Sequence, residues 1–123
     1  MNLSQLNLHG KRALIADDEQ DIRGVIRIVL ECLGVDVTEA GDGEEALTIY
    51  SREPFNLVLT DYAMPKMRGD ALARAIKNIN PKQRVVMVSG FAEQVLENGR
   101  LPAFIDVLVP KPCSMDQLTD ALA

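Results

Sequence analysis

The chain has 123 residues, 47% of them hydrophobic and 25% charged, and a formal net charge of −5, which amounts to one domain of ordinary globular composition. The acidic balance gives no electrostatic reason to expect nucleic acid as a partner, and no apolar run approaches the length of a membrane span. Cys32 and Cys113, with no C-x-x-C pair, are too few for a disulfide framework or a zinc site, so reduced thiols in a cytoplasmic compartment are expected.

Met1 to Gly10 scatters Leu3, Leu6 and Leu8 among polar residues. It lacks the continuous apolar stretch of a secretory signal and reads as a tail or linker remnant. A single domain then spans 11–123. Its first apolar run, Ala13-Leu14-Ile15-Ala16, is a strand that stops at Asp17-Asp18. Ile22, Val25, Ile26, Val29, Leu30 and Leu33 follow at helical spacing, one face of a helix that Gly34 is placed to end. Cys32, on the same helix, reads as a core residue. Val35-Asp36-Val37-Thr38 alternates apolar and polar, as a half-exposed edge strand does. Ala46, Leu47 and Tyr50 mark a second helix, with Glu44 and Glu45 near its positive amino end. The run Leu57-Val58-Leu59-Thr60 predicts a strand covered on both faces, stopping at Asp61.

Leu72, Ala75, Ile76 and Ile79 line a third helix, which stops before Pro81. Val85-Val86-Met87-Val88 is a strand that stops at Ser89. A short fourth helix around Ala92, Val95 and Leu96 closes near Asn98-Gly99. The last apolar run, through Leu108 and Val109, reaches Lys111-Pro112, and the neighbouring Cys113 reads as an incidental thiol. Ser114 and Gln117 have capping-box spacing and open a fifth helix with Leu118, Ala121 and Leu122 inside. Little room remains before Ala123, which suggests a chain cut from a longer one.

Five βα units in this length imply an α/β domain built on one doubly wound parallel sheet, because parallel strands need right-handed helical crossovers. The alternating second strand belongs at an edge and the continuous apolar strands at the centre; the strand order 2-1-3-4-5 satisfies both. The carboxyl ends of the strands then lie along one rim, where ligands of such sheets bind. Asp17, Asp18, Asp61, Ser89 and Lys111, far apart in sequence, gather there.

Two carboxylates about 4 Å apart at an effective dielectric near 20 repel by roughly 4 kcal/mol. Three of them call for protons or a cation, and a hard divalent ion such as Mg²⁺ suits a site that also takes a phosphoryl group. Phosphoryl transfer asks for positive charge on the transferring oxygens, which Lys111 and the metal supply, and for an in-line nucleophile. A carboxylate can serve, forming an aspartyl phosphate. Asp61 is the best candidate because it stands alone at the end of a central strand. Each residue also has a plainer reading: Asp17 or Asp18 as a helix N-cap, Ser89-Gly90 as a turn, Lys111 as a solvated surface charge. The conjunction at four strand ends outweighs these.

Asp17-Asp18-Glu19 after the first strand, Asp61-Tyr62-Ala63-Met64-Pro65-Lys66-Met67-Arg68-Gly69 after the third, Ser89-Gly90 after the fourth and Lys111-Pro112 after the fifth resemble the receiver domain of bacterial two-component response regulators. The resemblance covers nearly the whole chain from Lys11 and implies a flavodoxin-like receiver fold. It further implies that Asp61 accepts a phosphoryl group from a phosphohistidine on a sensor histidine kinase or histidine phosphotransfer protein. Mg²⁺ is then held by Asp18, Asp61 and the backbone carbonyl of Ala63, with Asp17 acting through water. Lys111 contacts the phosphoryl oxygens, the Ser89 hydroxyl swings toward them, and the Lys111-Pro112 bond is cis. Gly90 leaves room for the phosphoryl group, and Gly69 supplies a positive φ after Met67 or is simply a turn glycine.

The family usually carries Tyr or Phe where this chain has Leu108, so the usual aromatic switch is not expected and Phe91 is placed to take over part of it. Ala63 and Phe91 stand where the family controls the access of water, and neither can hydrogen-bond a hydrolytic water, which implies a long-lived phosphate. Two other readings compete. A Mg²⁺-dependent aspartyl-phosphate phosphohydrolase of the haloacid dehalogenase type would need a general acid where Ala63 stands. A phosphorylation-independent interaction module on the receiver fold has no positive support. Phosphate-cradling G-x-x-x-x-G-K-[ST] and G-x-G-x-x-G stretches are absent.

Overall fold

The computed structural model describes residues 8–111 and 114–122, with the backbone alone at Ala92 and Met115. Pro112, with the expected cis bond, and Cys113 lie outside the described residues, as does most of the N-terminal tail. The elements follow one another as β1 (Arg12–Ala16), α1 (Gln20–Cys32), β2 (Asp36–Ala40), α2 (Gly43–Tyr50), β3 (Leu57–Thr60), α3 (Gly69–Ile79), β4 (Val85–Ser89), α4 (Ala92–Val95), β5 (Val107–Pro110) and α5 (Met115–Leu122). Every strand pair is parallel, and the sheet runs β2-β1-β3-β4-β5. The order is the expected one. β3 and β4, apolar along their length, are buried at every position, while β2 at the edge is exposed at Asp36 and half-exposed at Thr38 and Glu39.

Alternate residues of each strand feed two cores. Leu14, Ala16, Val58, Val85 and Met87 point to the layer of α2, α3 and α4, where Ala46, Leu72, Ile76 and Val95 meet them. Ala13, Ile15, Leu57, Leu59, Val86 and Val88 point the other way, to Ile26 and Leu30 of α1 and to Leu118, Ala121 and Leu122 of α5. Each large side chain fully buried in these layers contributes about 1.5–3 kcal/mol.

The helix boundaries follow local chemistry. Gly34, with φ +85°, ends α1, and a Cβ there would overlap the His9 ring. Asp42 caps α2 by accepting the Glu45 N–H. At α5 the Ser114 N–H donates to Gln117 Oε1 at 2.7 Å and the Gln117 N–H to Ser114 Oγ at 3.1 Å, the reciprocal capping box expected from spacing. After α4, Glu97 and Arg100 bridge across a turn with positive φ at Asn98 and Gly99, the conformation that an Asn-Gly pair favours.

Three expectations are corrected. Cys32 is exposed, not in the core. It follows the buried Leu30 by two residues, about 200° round the helix. Val25, assigned to the inner face of α1, is 62% exposed because Ile26 and Leu30 alone face the sheet squarely. Ile79, the last residue of α3, is 56% exposed beyond the ladder that Leu72 and Ile76 cover.

Candidate functional site

Strand register decides which side chains meet. Ala16 pairs with Thr60, so Asp17 and Asp61 are the next residues on adjacent strands. Ser89 pairs with Pro110, so Lys111 leaves the sheet beside Ser89, its N–H donating to the Ser89 carbonyl at 2.9 Å. Asp17 and Asp61 are buried, their side chains 3% and 8% exposed. Lys111 Nζ reaches in between them, 3.0 Å from Asp17 Oδ2 and 3.5 Å from Asp61 Oδ1. The other oxygen of Asp17 accepts the Glu19 N–H at 2.9 Å, while Asp61 Oδ1 also accepts the Tyr62 N–H at 2.8 Å.

Carboxylate oxygens of Asp17, Glu19 and Asp61 lie within 4.8 Å of one another. One ammonium among them neutralises one charge. The Asp61 carboxyl is held above the usual range, chiefly by burial and further by the Asp17 charge, with Lys111 pulling the other way. Burial acts against the Lys111 charge, but the hydrogen bond and charge of Asp17, then Asp61 and Glu19, outweigh it and hold its ammonium above the ordinary lysine value. A set of hard oxygen donors with surplus negative charge suits a divalent cation.

The loop from Asp61 to α3 is folded tightly over the acceptor strand. The Gly69 N–H donates to the Tyr62 carbonyl at 2.8 Å, and a Cβ at Gly69 would overlap the carbonyl oxygen of Asp61. Close approach, not a positive φ, is therefore why glycine stands there; the positive φ of this loop falls on Lys66, at 68°. A Cβ at Gly90 would meet nothing within 4 Å. Ser89 is fully buried, and its Oγ accepts the Phe91 N–H at 2.9 Å. The Phe91 and Tyr62 rings lie 6.2 Å apart, and the Arg68 guanidinium sits 5.2 Å above the Tyr62 ring. Leu108 is half-buried against the α2–α4 core.

The residues read from strand ends thus sort into two groups. Asp17, Asp61 and Lys111 converge; Ser89 stands at the same rim with its hydroxyl turned to its own loop. Asp18 is exposed and stands outside the converging acids, and Ala63 is half-buried in the loop after β3. Neither Asp17 nor Asp18 caps α1; the N-cap position is Glu19. Glu19 is also the acid that strand-end logic missed, although its place two residues after Asp17 was a signal. A turn that aims residue 17 at the rim can aim residue 19 there too.

Comparison with known proteins bears on the same residues. The family model of the response regulator receiver domain matches residues 13–123. The response regulator receiver protein CpdR of Brucella abortus is 40% identical over 86 residues, 70% of this chain and 72% of CpdR. The autoinducer 1 sensor kinase/phosphatase LuxN of Vibrio campbellii is 29% identical over 118 residues, 96% of this chain but only 14% of LuxN. Among solved structures, the response regulator TrrA of Thermotoga maritima in complex with Mg²⁺-BeF superposes with a TM-score of 0.83 at 26% identity, covering 91% of this chain and 96% of TrrA. Sheet order, acid rim and family match agree, and the chain belongs to the response regulator receiver domain family, the phosphoacceptor module of two-component signalling.

Proposed function

We propose that Asp61 is the phosphoryl acceptor, that the donor is a phosphohistidine on a sensor histidine kinase or histidine phosphotransfer protein, and that Mg²⁺ is the cofactor. The observation that carries this reading is the buried Asp61 carboxylate, which shares the Lys111 ammonium with Asp17 and has carboxylate oxygens of Asp17 and Glu19 within 4.8 Å. Lys111 and the Tyr62 N–H both engage Oδ1, which leaves Oδ2 to attack phosphorus as the P–N bond to imidazole breaks. Lys111 then steadies the transferred oxygens. Ser89 reports the change when its hydroxyl, which accepts the Phe91 N–H, turns away to donate its own O–H to a phosphoryl oxygen.

The donor set fits the cation: oxygen ligands with more negative charge than Lys111 balances. Asp18, Asp61 and the Ala63 carbonyl would hold it, Asp18 by turning in from its exposed place outside the converging acids, with Asp17 acting through water and Glu19 as an additional carboxylate at the same rim. Bound Mg²⁺ supplies positive charge against the acids and the transferring oxygens. Turnover is confined to the domain's own phosphorylation and dephosphorylation, and the output is a switched protein-interaction surface, either alone or within a hybrid kinase or larger regulator. The cytoplasmic compartment read from cysteine usage belongs to this proposal; no helix among the described residues is long and apolar enough to cross a membrane.

Intact-mass spectrometry after incubation with acetyl phosphate tests it, with and without Mg²⁺, on the wild type and on Asp61→Asn. The expected result is one Mg²⁺-dependent phosphoryl adduct that the variant lacks. An adduct of the same occupancy in Asp61→Asn would reject Asp61 as acceptor.

A further inference from the structure

The chain leaves the sheet at Asp17. Its N–H still bonds the Ala40 carbonyl of β2 at 3.1 Å, but its own carbonyl lies past the end of the β1 ladder. Arg23, one turn into α1, reaches back to it: NH1 donates to the Asp17 carbonyl at 2.7 Å while Nε donates to Glu39 Oε1 of β2 at 2.9 Å. The other Glu39 oxygen accepts Arg27 NH1 at 2.6 Å, and Arg27 is in turn tied to Glu31. The Arg23 and Glu39 side chains are only 17% and 25% exposed. One guanidinium therefore links the edge strand, the first helix and the turn that carries Asp17, Asp18 and Glu19.

We infer that Arg23 is a positioning residue for the acid rim: clamped by Glu39, it holds the Asp17 carbonyl and so fixes the turn that aims Asp17 and Glu19 at Asp61. This rests on the phosphoacceptor reading above. The role is geometric. The charge of Arg23 is already matched by Glu39, and what the site uses is the planar fork that meets two acceptors in different directions. Lysine keeps the charge and loses the fork. Outer hydrogen bonds of this kind orient metal-binding groups and set their affinity.

The test uses the full chain and two readouts: Mg²⁺ affinity by calorimetry, and amide exchange at Glu19 by NMR in the metal-free protein. Arg23→Lys and Glu39→Ala are expected to weaken Mg²⁺ binding roughly tenfold and to speed Glu19 exchange. Phosphorylation by acetyl phosphate at saturating Mg²⁺ falls much less than the affinity does. Arg27→Lys is the matched control: it loosens the other half of the same ion network without touching the turn, and leaves both readouts unchanged. Wild-type affinity in Arg23→Lys, or equal weakening in Arg27→Lys, overturns the positioning role. A wild type that neither binds Mg²⁺ nor takes up a phosphoryl group overturns the phosphoacceptor reading and this role with it.

Discussion

Asp61 is stabilised by few of the contacts a buried charge ordinarily needs. A Tyr62 N–H at 2.8 Å and a shared lysine at 3.5 Å face it, against the charge of Asp17 and the loss of water. The folded protein accordingly binds the Asp61 proton more tightly than the unfolded chain does, so ionising this carboxyl costs stability. The sign follows from the raised value: the cost is complete above the folded-state pKa and disappears below the ordinary aspartate range. Asp61→Asn is expected to melt a few degrees above the wild type near neutral pH in chelator. That gap should close as the pH falls through the carboxylate range, in paired thermal melts. A variant less stable at every pH would show that Asp61 is a net stabilising partner of Lys111. Reactivity and fragility have the same origin here, since a desolvated carboxylate, with one oxygen that no hydrogen bond from the described residues engages, is also the better nucleophile.

At the scale of the elements, α5 shows how a short helix is kept on a sheet. Its inner face is Leu118, Ala121 and Leu122, and the Ser114–Gln117 pair closes its first turn. Arg84, just before β4, donates to the Ala121 carbonyl at 2.9 Å in the last turn of α5. Ser114→Ala removes the side-chain half of the box and should cost about 1 kcal/mol, with faster amide exchange confined to the first turn of α5. Uniform acceleration through β5 would mean that the cap also holds the edge strand. The capping box was legible from spacing alone because both partners lie within one turn. The exposed Val25 and Cys32 were not: apolar residues run round most of α1, and only contact with the sheet selects Ile26 and Leu30 as its buried pair.

For the whole molecule, a cation that binds only the folded rim should act as a stabiliser. Binding at a hundredfold excess over the dissociation constant is worth about 2.7 kcal/mol, on the order of 10 °C for a domain of this size. Melting with Mg²⁺ against melting in chelator should show a rise that grows with the logarithm of Mg²⁺ concentration and is lost in Asp17→Asn. A melting temperature indifferent to Mg²⁺ would count against the rim as a cation site.

The alternation of apolar runs and helical faces determined, by itself, a parallel sheet in the order β2-β1-β3-β4-β5, and with it the rim that collects Asp17, Asp61, Ser89 and Lys111. Period, burial and strand direction are properties of short segments, and short segments carry them in their composition. Only the tertiary structure decided that Glu19, and not Asp18, joins the converging acids, that Gly69 yields to the Asp61 carbonyl, and that Arg23 spans to Glu39. Where a side chain points after a strand ends depends on the torsions of one turn. Those torsions are set by partners on another strand or a later helix, which no local pattern of residues encodes.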